Sequence, residues 1–284
     1  MPKFSVNGFL SFLRLRMIMA MKGDGIISKI RLFLWAIFAS VPRTFRRRLS
    51  SLNRYVNYME NRLSNNVVIN FRWGKFLCMD SESILILSYE FERWMWDYLN
   101  LDKGAVFVDV GAHIGKYTVP VAKIVGRNSL VIACEPHPKN YQILMENIRL
   151  NDLKNVIALN IAAWKKESDI KLFIGDCCVH HSVKKNFGLG FVTVQARPLD
   201  CVLQELEVEN VDFIKIDVEG AEVEVLNGLI DTLKKWRPTL IIEITRELDK
   251  IKKFMKQRGY TMKQIAPRYY IFRPSKLCLS EASI

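Results

Sequence analysis

The chain has 284 residues, half of them hydrophobic and a quarter charged, which indicates a globular protein with a sizeable core and excludes a disordered chain. Its formal net charge of +13 is uneven: residues 1–70 hold twelve basic and two acidic side chains, a net charge of +10, and the rest of the chain carries only +3. An anionic partner is therefore expected to meet the first quarter of the chain.

The cysteines give no metal or disulfide framework. None of the six stands in a C-x-x-C pair, so the sequence predicts reduced, mostly structural cysteines in a cytoplasmic protein. The adjacent Cys177 and Cys178 are interpreted as incidental rather than redox-active.

The amino-terminal segment contains two apolar stretches, residues 9–21 and 26–41, which predict two helices joined by a turn at Gly23-Asp24-Gly25. The longest uncharged run, residues 32–42, has eleven residues, whereas a membrane-spanning helix needs about 20. Two roles remain open for residues 1–66. Either the helices pack on the main body as a lid or oligomerisation arm, or they lie peripherally on the inner face of a membrane. In the second case four basic side chains contact anionic headgroups: Arg43, Arg46, Arg47 and Arg48.

From residue 67 onward the pattern predicts a hairpin at 67–80 and a helix at 89–101, followed by alternating strands and helices. The predicted core strands are 106–110, 130–134, 156–159, 213–216 and 240–244. The predicted helices between and after them are 114–125, 140–150, 221–235 and 247–257. A β-rich excursion is predicted at 169–199, and a final hairpin at 261–274.

Apolar strands without alternation, each followed by a helix, predict a parallel sheet covered on both faces. We therefore expect a doubly wound, Rossmann-like, mostly parallel α/β domain over residues 67–284, with a C-terminal antiparallel hairpin. Residues 1–66 are expected to form an N-terminal helical appendage.

Polar residues stand where the predicted parallel strands end. Ligands bind at the carboxyl edge of such a sheet, so these residues are site candidates. They are Asp109, Glu135, Asn160, Asp217 with Glu219, and Glu243. Any one acid there also suits a helix N-cap. Acids at four of five strands favour a site over a set of caps.

The turn after the first core strand reads G-x-x-x-G, with Ala112 and His113 between Gly111 and Gly115. A dinucleotide fingerprint needs a third glycine so that the backbone can approach a pyrophosphate. Asp109 places a negative charge where phosphates would lie. This pattern favours S-adenosylmethionine (SAM), which carries an ammonium group, over NAD. Glu135 suits the ribose hydroxyls of either cofactor, so an NAD-dependent oxidoreductase remains the alternative.

Four stretches occur in order at workable spacing: "VFVDVGAHIGKYT", "EPHPKNYQILMENIRLN", "FIKIDVEGAEVEVLNG" and "RPTLIIEI". Together they resemble the FkbM family of SAM-dependent methyltransferases, over residues 67–273. The resemblance implies O-methylation of hydroxyl groups on sugars and natural products. Four more candidate cofactor-binding residues lie within the resembling region: Glu90, Thr118, Pro136 and Ala162.

A sugar hydroxyl is a poor nucleophile, so its methylation needs a base or a metal ion. Asp217 is the first candidate for either role, and Glu219, Glu243 and His181 are the further catalytic candidates. Asp217 and Glu243 are also the candidate ligands of a divalent metal ion.

The acceptor is expected to be a hydroxyl-bearing sugar, glycan or natural product. A nucleic-acid acceptor is disfavoured for two reasons. The main body is nearly neutral, and after its fourth core strand it carries Asp217-Val218-Glu219-Gly220, where enzymes that methylate nucleic-acid bases carry an N/D-P-P-Y motif. A non-catalytic, membrane-docked scaffold is the second alternative.

Overall fold

A computed structural model describes residues 6–41, 50–88, 91–175 and 181–275. The chain divides into two compact units. The first comprises Met1–Arg93 with Arg149–Asn151, and the second comprises Trp94–Ile148 with Asp152–Ile284. Residues 67–93, predicted to belong to the catalytic domain, thus group with the amino-terminal helices.

Within its described residues, the first unit contains four helices and a two-stranded hairpin. In chain order these are α1 (Val6–Met21), α2 (Gly25–Ala39), α3 (Ser50–Ser64), β1 (Val67–Phe71), β2 (Gly74–Cys78) and α4 (Ser81–Ile86). The two predicted helices, their turn and the hairpin are confirmed. Helices α3 and α4 were not predicted.

The hairpin groups with the helices because the turn between α1 and α2 joins its edge. The Asp24 N–H donates to the Val68 carbonyl at 2.8 Å, and the Asp24 carboxylate pairs with Lys75 at 3.0 Å. Trp35 of α2 is fully buried and donates from its ring nitrogen to Ser81 Oγ at 2.7 Å. One face of α2 therefore belongs to the core of this unit. In the parts of the chain that are described, every helix is too short or too polar to cross a bilayer.

The second unit begins with a short 3₁₀ helix and then alternates strands and helices. The 3₁₀ helix spans Arg93–Asp97, starting one residue before the unit. The strands are β3 (Val106–Val110), β4 (Leu130–Cys134), β5 (Val156–Leu159), β6 (Ala162–Ala163), β7 (Ser168–Phe173), β8 (Phe191–Arg197), β9 (Phe213–Ile216), β10 (Thr239–Glu243), β11 (Tyr260–Ala266) and β12 (Tyr269–Pro274). The helices are α5 (Thr118–Val125), α6 (Pro138–Leu150), α7 (Leu199–Glu205), α8 (Glu222–Asn227), α9 (Ile230–Lys235) and α10 (Leu248–Gln257).

Seven strands form one sheet in the order β11-β12-β10-β9-β3-β4-β5. Strands β10, β9, β3, β4 and β5 pair in parallel, and β12 pairs antiparallel to both β10 and β11. The predicted Rossmann-like sheet with a C-terminal antiparallel hairpin is confirmed. The chain runs from β3 outward to β5 and returns to β9 on the other side of β3, so a ligand crevice is expected between the ends of β3 and β9.

The predicted β-rich excursion forms a second sheet of three strands, in the order β6-β8-β7. Its strands β7 and β8 are antiparallel from Ser168↔Ala196 to Phe173↔Phe191. The connection between them leaves this small sheet and returns to it, and part of that connection reaches the carboxyl edge of the large sheet.

Three predicted helices differ from those observed. The helix predicted at 114–125 begins only at Thr118, because Gly111, His113 and Gly115 all have positive φ angles that no right-handed helix contains. The helix predicted at 221–235 is two helices separated at Gly228, where a Cβ atom would lie 2.1 Å from the Trp164 carbonyl oxygen. Of the helix predicted at 89–101, the described residues 91–101 contain only the 3₁₀ helix Arg93–Asp97, within which Met95 is buried.

Candidate active site

Asp109, at the end of β3, is completely buried. The Thr118 hydroxyl donates to its Oδ2 at 2.7 Å, and Lys215 Nζ lies 3.5 Å from its Oδ1. The sequence suggested that Asp109 faces a cationic cofactor. In the structure its cationic neighbour is a lysine of this chain, and the predicted cofactor residue Thr118 is also fully buried and holds Asp109 in place.

Lys215 is the central residue of the site and was not predicted. It is 3% exposed, pairs directly opposite Asp109 across β3 and β9, and lies 3.4 Å from Asp217 Oδ2. It also donates to the Gly111 carbonyl at 3.2 Å. The sequence did contain a signal for it. A lysine interrupts an apolar buried strand two residues before Asp217, and residues two apart share one face of a strand.

The glycine turn after β3 is required by neighbouring protein atoms. Gly111 has φ +77°, and a Cβ atom there would lie 1.9 Å from the Asp217 carbonyl oxygen. At Gly115, with φ +89°, a Cβ atom would lie 2.9 Å from Leu144 Cδ1. Between them Ala112 is buried, with an exposure of 3%. Close packing of this turn against the loop after β9 and against α6 therefore explains the glycines without a ligand.

Glu135 follows β4 and is almost fully buried. Its Oε2 accepts from the His113 N–H at 2.8 Å, and its Oε1 accepts from the His137 N–H at 2.9 Å. Burial raises the pKa of Glu135 to about 7, although these backbone N–H groups lower it in part. The predicted residue Asn160 closes the same loop by donating from Nδ2 to the carbonyls of Glu135 and Pro136, at 2.8 and 3.0 Å. Glu135 is thus fixed at the edge of the predicted crevice.

Ala162, a further predicted cofactor residue, lies in β6 and pairs with Ala196 of the small sheet. It is buried, with 6% of its surface exposed. A cofactor that contacts Ala162 would therefore lie beside the loop that follows β5.

Asp217 and Glu243 form a carboxyl pair at the ends of β9 and β10. Burial raises the pKa of Glu243, and the neighbouring charge of Asp217 raises it further. Burial pushes the pKa of Asp217 upward as well, but the charge of Lys215 and a hydrogen bond with Glu243 hold it below its ordinary value. The pair therefore carries one proton near neutral pH, on Glu243, and Asp217 is ionised with 27% of its side chain exposed.

Glu243 is fixed from its other side by the C-terminal hairpin. The Tyr269 hydroxyl donates to its Oε2 at 3.0 Å, and Arg268 lies 2.8 Å from its Oε1. These contacts orient Glu243, which is only 6% exposed, toward Asp217. Sequence reasoning did not identify Tyr269 or Arg268, because their approach depends on the antiparallel pairing of β12 with β10.

Glu219 sits in the loop between β9 and α8 with φ +50°, an unusual conformation for a residue other than glycine. Donor oxygens of Asp217, Glu219 and Glu243 all lie within 4.8 Å of one another. The structure thus brings three of the predicted catalytic residues together. A divalent metal ion held by Asp217 and Glu243 stays a prediction, and Lys215 already supplies a positive charge beside Asp217.

Residues 181–184 link the two sides of the crevice. The ring of the predicted residue His181 stacks on His137, with centroids 4.0 Å apart, and its Nδ1 accepts from the Gly175 N–H at 3.1 Å. On the other side, the Ser182 hydroxyl donates to the Glu219 carbonyl at 2.7 Å. Because His137 follows β4 and Glu219 follows β9, this segment crosses the end of β3, which lies between those strands.

Several predicted features lie outside the described residues: Glu90, Cys177 and Cys178, and the basic cluster at 43–48. Among the described cysteines, Cys78 and Cys134 are buried and Cys201 is exposed, all of them free thiols.

The chemistry of the groups at this edge fits SAM. The Glu135 carboxylate accepts from two backbone N–H groups and from the Asn140 side chain, which leaves acceptor capacity for a ribose hydroxyl. Asp217 offers a partly exposed negative charge to an ammonium or sulfonium group. The fold and this edge together define a Rossmann-like enzyme whose crevice is lined by carboxylates.

Comparison with known proteins identifies the family. Residues 109–262 match the family described as the Methyltransferase FkbM domain. The chain is 30% identical over 186 residues to methyltransferase sdnD of Sordaria araneosa, covering 52% of this chain and 69% of that protein. It is 30% identical over 146 residues to hexuronic acid methyltransferase AglP of Haloferax volcanii, covering 51% of this chain and 57% of AglP.

Among solved structures, the methyltransferase FkbM from Methylobacillus flagellatus KT is similar, with a TM-score of 0.48 and 16% identity. The similarity covers 94% of this chain and 60% of that one. This chain thus spans less than two thirds of AglP and of the solved FkbM protein.

Because the family match covers more than half of the chain, the protein belongs to the FkbM methyltransferase family. It is a SAM-dependent methyltransferase. The choice that the sequence left open between SAM and a nicotinamide cofactor is thereby decided, and the non-catalytic scaffold is excluded.

Proposed function

We propose that the protein transfers a methyl group from SAM to a hydroxyl group of a sugar-containing acceptor, with Asp217 as the general base. The observation that carries this proposal is the carboxyl pair at the ends of β9 and β10. Asp217 is ionised and partly exposed, while Glu243 behind it is protonated and buried. An ionised carboxylate in hydrogen-bond reach can accept the hydroxyl proton, because that proton becomes more acidic as the oxygen is methylated.

When bound, SAM supplies a methyl group activated by its sulfonium. Asp217 accepts a hydrogen bond from the acceptor hydroxyl and orients a lone pair of the hydroxyl oxygen toward that methyl carbon. Asp217 would take up the hydroxyl proton as the acceptor oxygen gains the methyl group, which SAM would supply with its thioether as the leaving group. Lys215 and Glu243 keep Asp217 ionised before this step, and Glu135 is expected to hold the ribose.

A sugar is the acceptor class that one relative favours. AglP is named a hexuronic acid methyltransferase, and the sequence match to it covers about half of this chain. Glu219 lies beside Asp217, and Ser182 of the segment 181–184 donates to the Glu219 carbonyl, so Glu219 and this segment are the proposed contacts for the acceptor.

The test is methyl transfer from isotope-labelled SAM into glycan and glycolipid fractions, followed by analysis of the methylated product. Asp217→Asn is expected to lower turnover by about 10²–10⁴-fold, the usual contribution of a general base. Its affinity for SAM, measured by calorimetry, should fall far less than its turnover, because Asp217 offers the cofactor only a partly exposed charge but accepts the acceptor's proton directly. Asp249→Asn, an exposed carboxylate in the first turn of α10, is the matched control and should retain full activity.

Two outcomes would contradict the proposal. Wild-type turnover in Asp217→Asn would remove Asp217 from the chemistry, and a product methylated on nitrogen or carbon would exclude a hydroxyl acceptor. Repeating the assay with a chelator separates the base from the metal. Turnover that persists in excess EDTA supports Asp217 as the base, whereas loss of turnover restored by a divalent cation assigns it to a metal site.

A further inference from the structure

Helices α1 and α2 expose an apolar face. Scattered single apolar side chains are ordinary on protein surfaces, whereas a continuous face marks an interaction site. The large apolar side chains exposed here are Ile18 (39%), Met21 (69%), Ile26 (75%), Ile27 (72%), Ile30 (55%), Phe33 (47%), Leu34 (39%) and Ile37 (47%). We call this set the apolar face.

The apolar face follows the geometry of α2. Ile26, Ile30, Phe33 and Ile37 are separated by four, three and four residues, so they lie along one side of the helix. The opposite side of the same helix is buried in the first unit and carries Leu32, Trp35, Ala36 and Ala39. Helix α2 is thus apolar on both sides, but the core of the unit needs only one of them.

Two exposed basic side chains lie beside the apolar face. Arg14 is exposed and lies on the same side of α1 as Ile18 and Met21, at spacings of four and seven residues. Lys29 is exposed in α2 beside Ile26 and Ile30. Residues 1–70 carry twelve basic and two acidic side chains, so little negative charge is available to balance them.

This positive charge favours an anionic lipid surface over a second copy of the chain as the partner of the apolar face. Two copies of the chain joined through this face would bring two segments of net charge +10 together, and like charges across an interface oppose association. A surface of anionic lipid headgroups is complementary to the charge and provides acyl chains for the apolar side chains.

We propose that α1 and α2 dock the protein on an anionic lipid surface, with the apolar face inserted among the headgroups. Helix α2 lies in the plane of the surface, because its 15 residues extend about 22 Å, less than the roughly 30 Å hydrocarbon thickness. Tyr55 and Tyr58 of the neighbouring α3 are 54% and 56% exposed, and tyrosine is a residue type that favours the headgroup level. This interaction is independent of the methyl-transfer reaction.

The test is co-sedimentation of the full chain with vesicles of phosphatidylcholine alone or with phosphatidylglycerol. Binding is expected to the anionic vesicles and to fall as salt rises, since exposed charges are screened. The triple variant Ile26→Ser, Ile30→Ser, Phe33→Ser should bind about 100-fold more weakly, because each half-exposed side chain contributes about five-fold. Lys29→Glu should weaken binding at least about five-fold.

A matched control replaces three exposed apolar side chains of the second unit, Met145, Leu189 and Ile230, by serine. It should bind vesicles like the wild type. Circular dichroism confirms that each variant is folded, which is expected because the substituted side chains are exposed. The proposal is overturned if the wild-type chain ignores anionic vesicles or if the α2 triple variant binds as well as the control. Light scattering that shows a wild-type dimer converted to a monomer by the triple variant, without vesicle binding, assigns the face to a second copy.

Discussion

Replacing Lys215 by methionine tests the internal charge balance of the site. Methionine keeps a similar length and removes the ammonium group, leaving Asp109 fully buried and Asp217 largely buried without their shared cation. At an effective dielectric constant of 20, a pair of charges 3.4–3.5 Å apart interacts by about 5 kcal/mol. The cost of desolvating Lys215 offsets part of this energy, and breaking a buried pair typically destabilises a protein by about 3–5 kcal/mol.

The assay is thermal unfolding at pH 7.5 and pH 5.5. For a unit of this size, a loss of 3–5 kcal/mol corresponds to a drop of about 6–20 °C in Tm. The drop should be smaller at pH 5.5, because Lys215 holds the pKa of Asp217 down in the wild type, and without that ammonium group the buried Asp217 can take up a proton as the pH falls.

Two controls separate this effect from the loss of any lysine. Lys250→Met removes an exposed pair with Glu247, 2.9 Å apart, and should change stability by less than about 1 kcal/mol. The double variant Lys215→Met, Asp109→Asn should recover part of the stability, because one uncompensated charge is removed with its partner. A Lys215→Met variant as stable as the wild type at pH 7.5, or equally destabilised at both pH values, would refute the reasoning.

Two further predictions concern the cofactor side of the crevice. Since the pKa of Glu135 is raised to about 7, SAM affinity in calorimetric titrations should weaken about tenfold per pH unit below pH 7, as the ribose acceptor becomes protonated. Glu135→Gln should bind more weakly and without this pH dependence; the same slope in the variant would assign it to another group. Gly111→Ala should lower stability by about 2–5 kcal/mol, because its Cβ atom meets the Asp217 carbonyl oxygen in a backbone conformation unfavourable for alanine. Gly104→Ala is the control, because Gly104 has φ +87° but a Cβ atom there would meet no atom within 4 Å. This variant should lose only the conformational cost of about 1 kcal/mol. Equal losses of stability in the two variants would contradict the close approach of Gly111 to Asp217.

The central sheet was predictable because its strands are buried on both faces. The stretch 106–110 is uninterrupted by turn residues and matches the observed strand residue for residue, as do 130–134, 156–159 and 213–216. In contrast, α3 has a helical period at Leu52, Val56, Met59 and Leu63 that its polar composition hides. The break at Gly228 could not be predicted, because it depends on a contact with Trp164, which is distant in sequence.

The acidic residues of the candidate site were predicted from the sequence, whereas the residues that contact them were not. Strand ends identified Asp109, Glu135, Asp217 and Glu243, since the carboxyl edge of a parallel sheet is common to all strands. The cation that holds two of them, Lys215, was passed over, although its place inside an apolar strand was a usable signal. The stacking of His181 on His137 joins residues from separate loops, and local sequence patterns contain no information about such a pairing.

The contact between Gly111 and Asp217 couples the position of the turn after β3 to that of the loop after β9. The turn after β3 touches the backbone of the proposed base and accepts a hydrogen bond from Lys215, which also neutralises that base. A displacement of the turn is therefore passed directly to the carboxylate. A mutation in this turn is therefore expected to change cofactor affinity and proton acceptance together. A change of acceptor preference is easier to obtain by substitutions in the segment 181–184 than by substitutions in the turn.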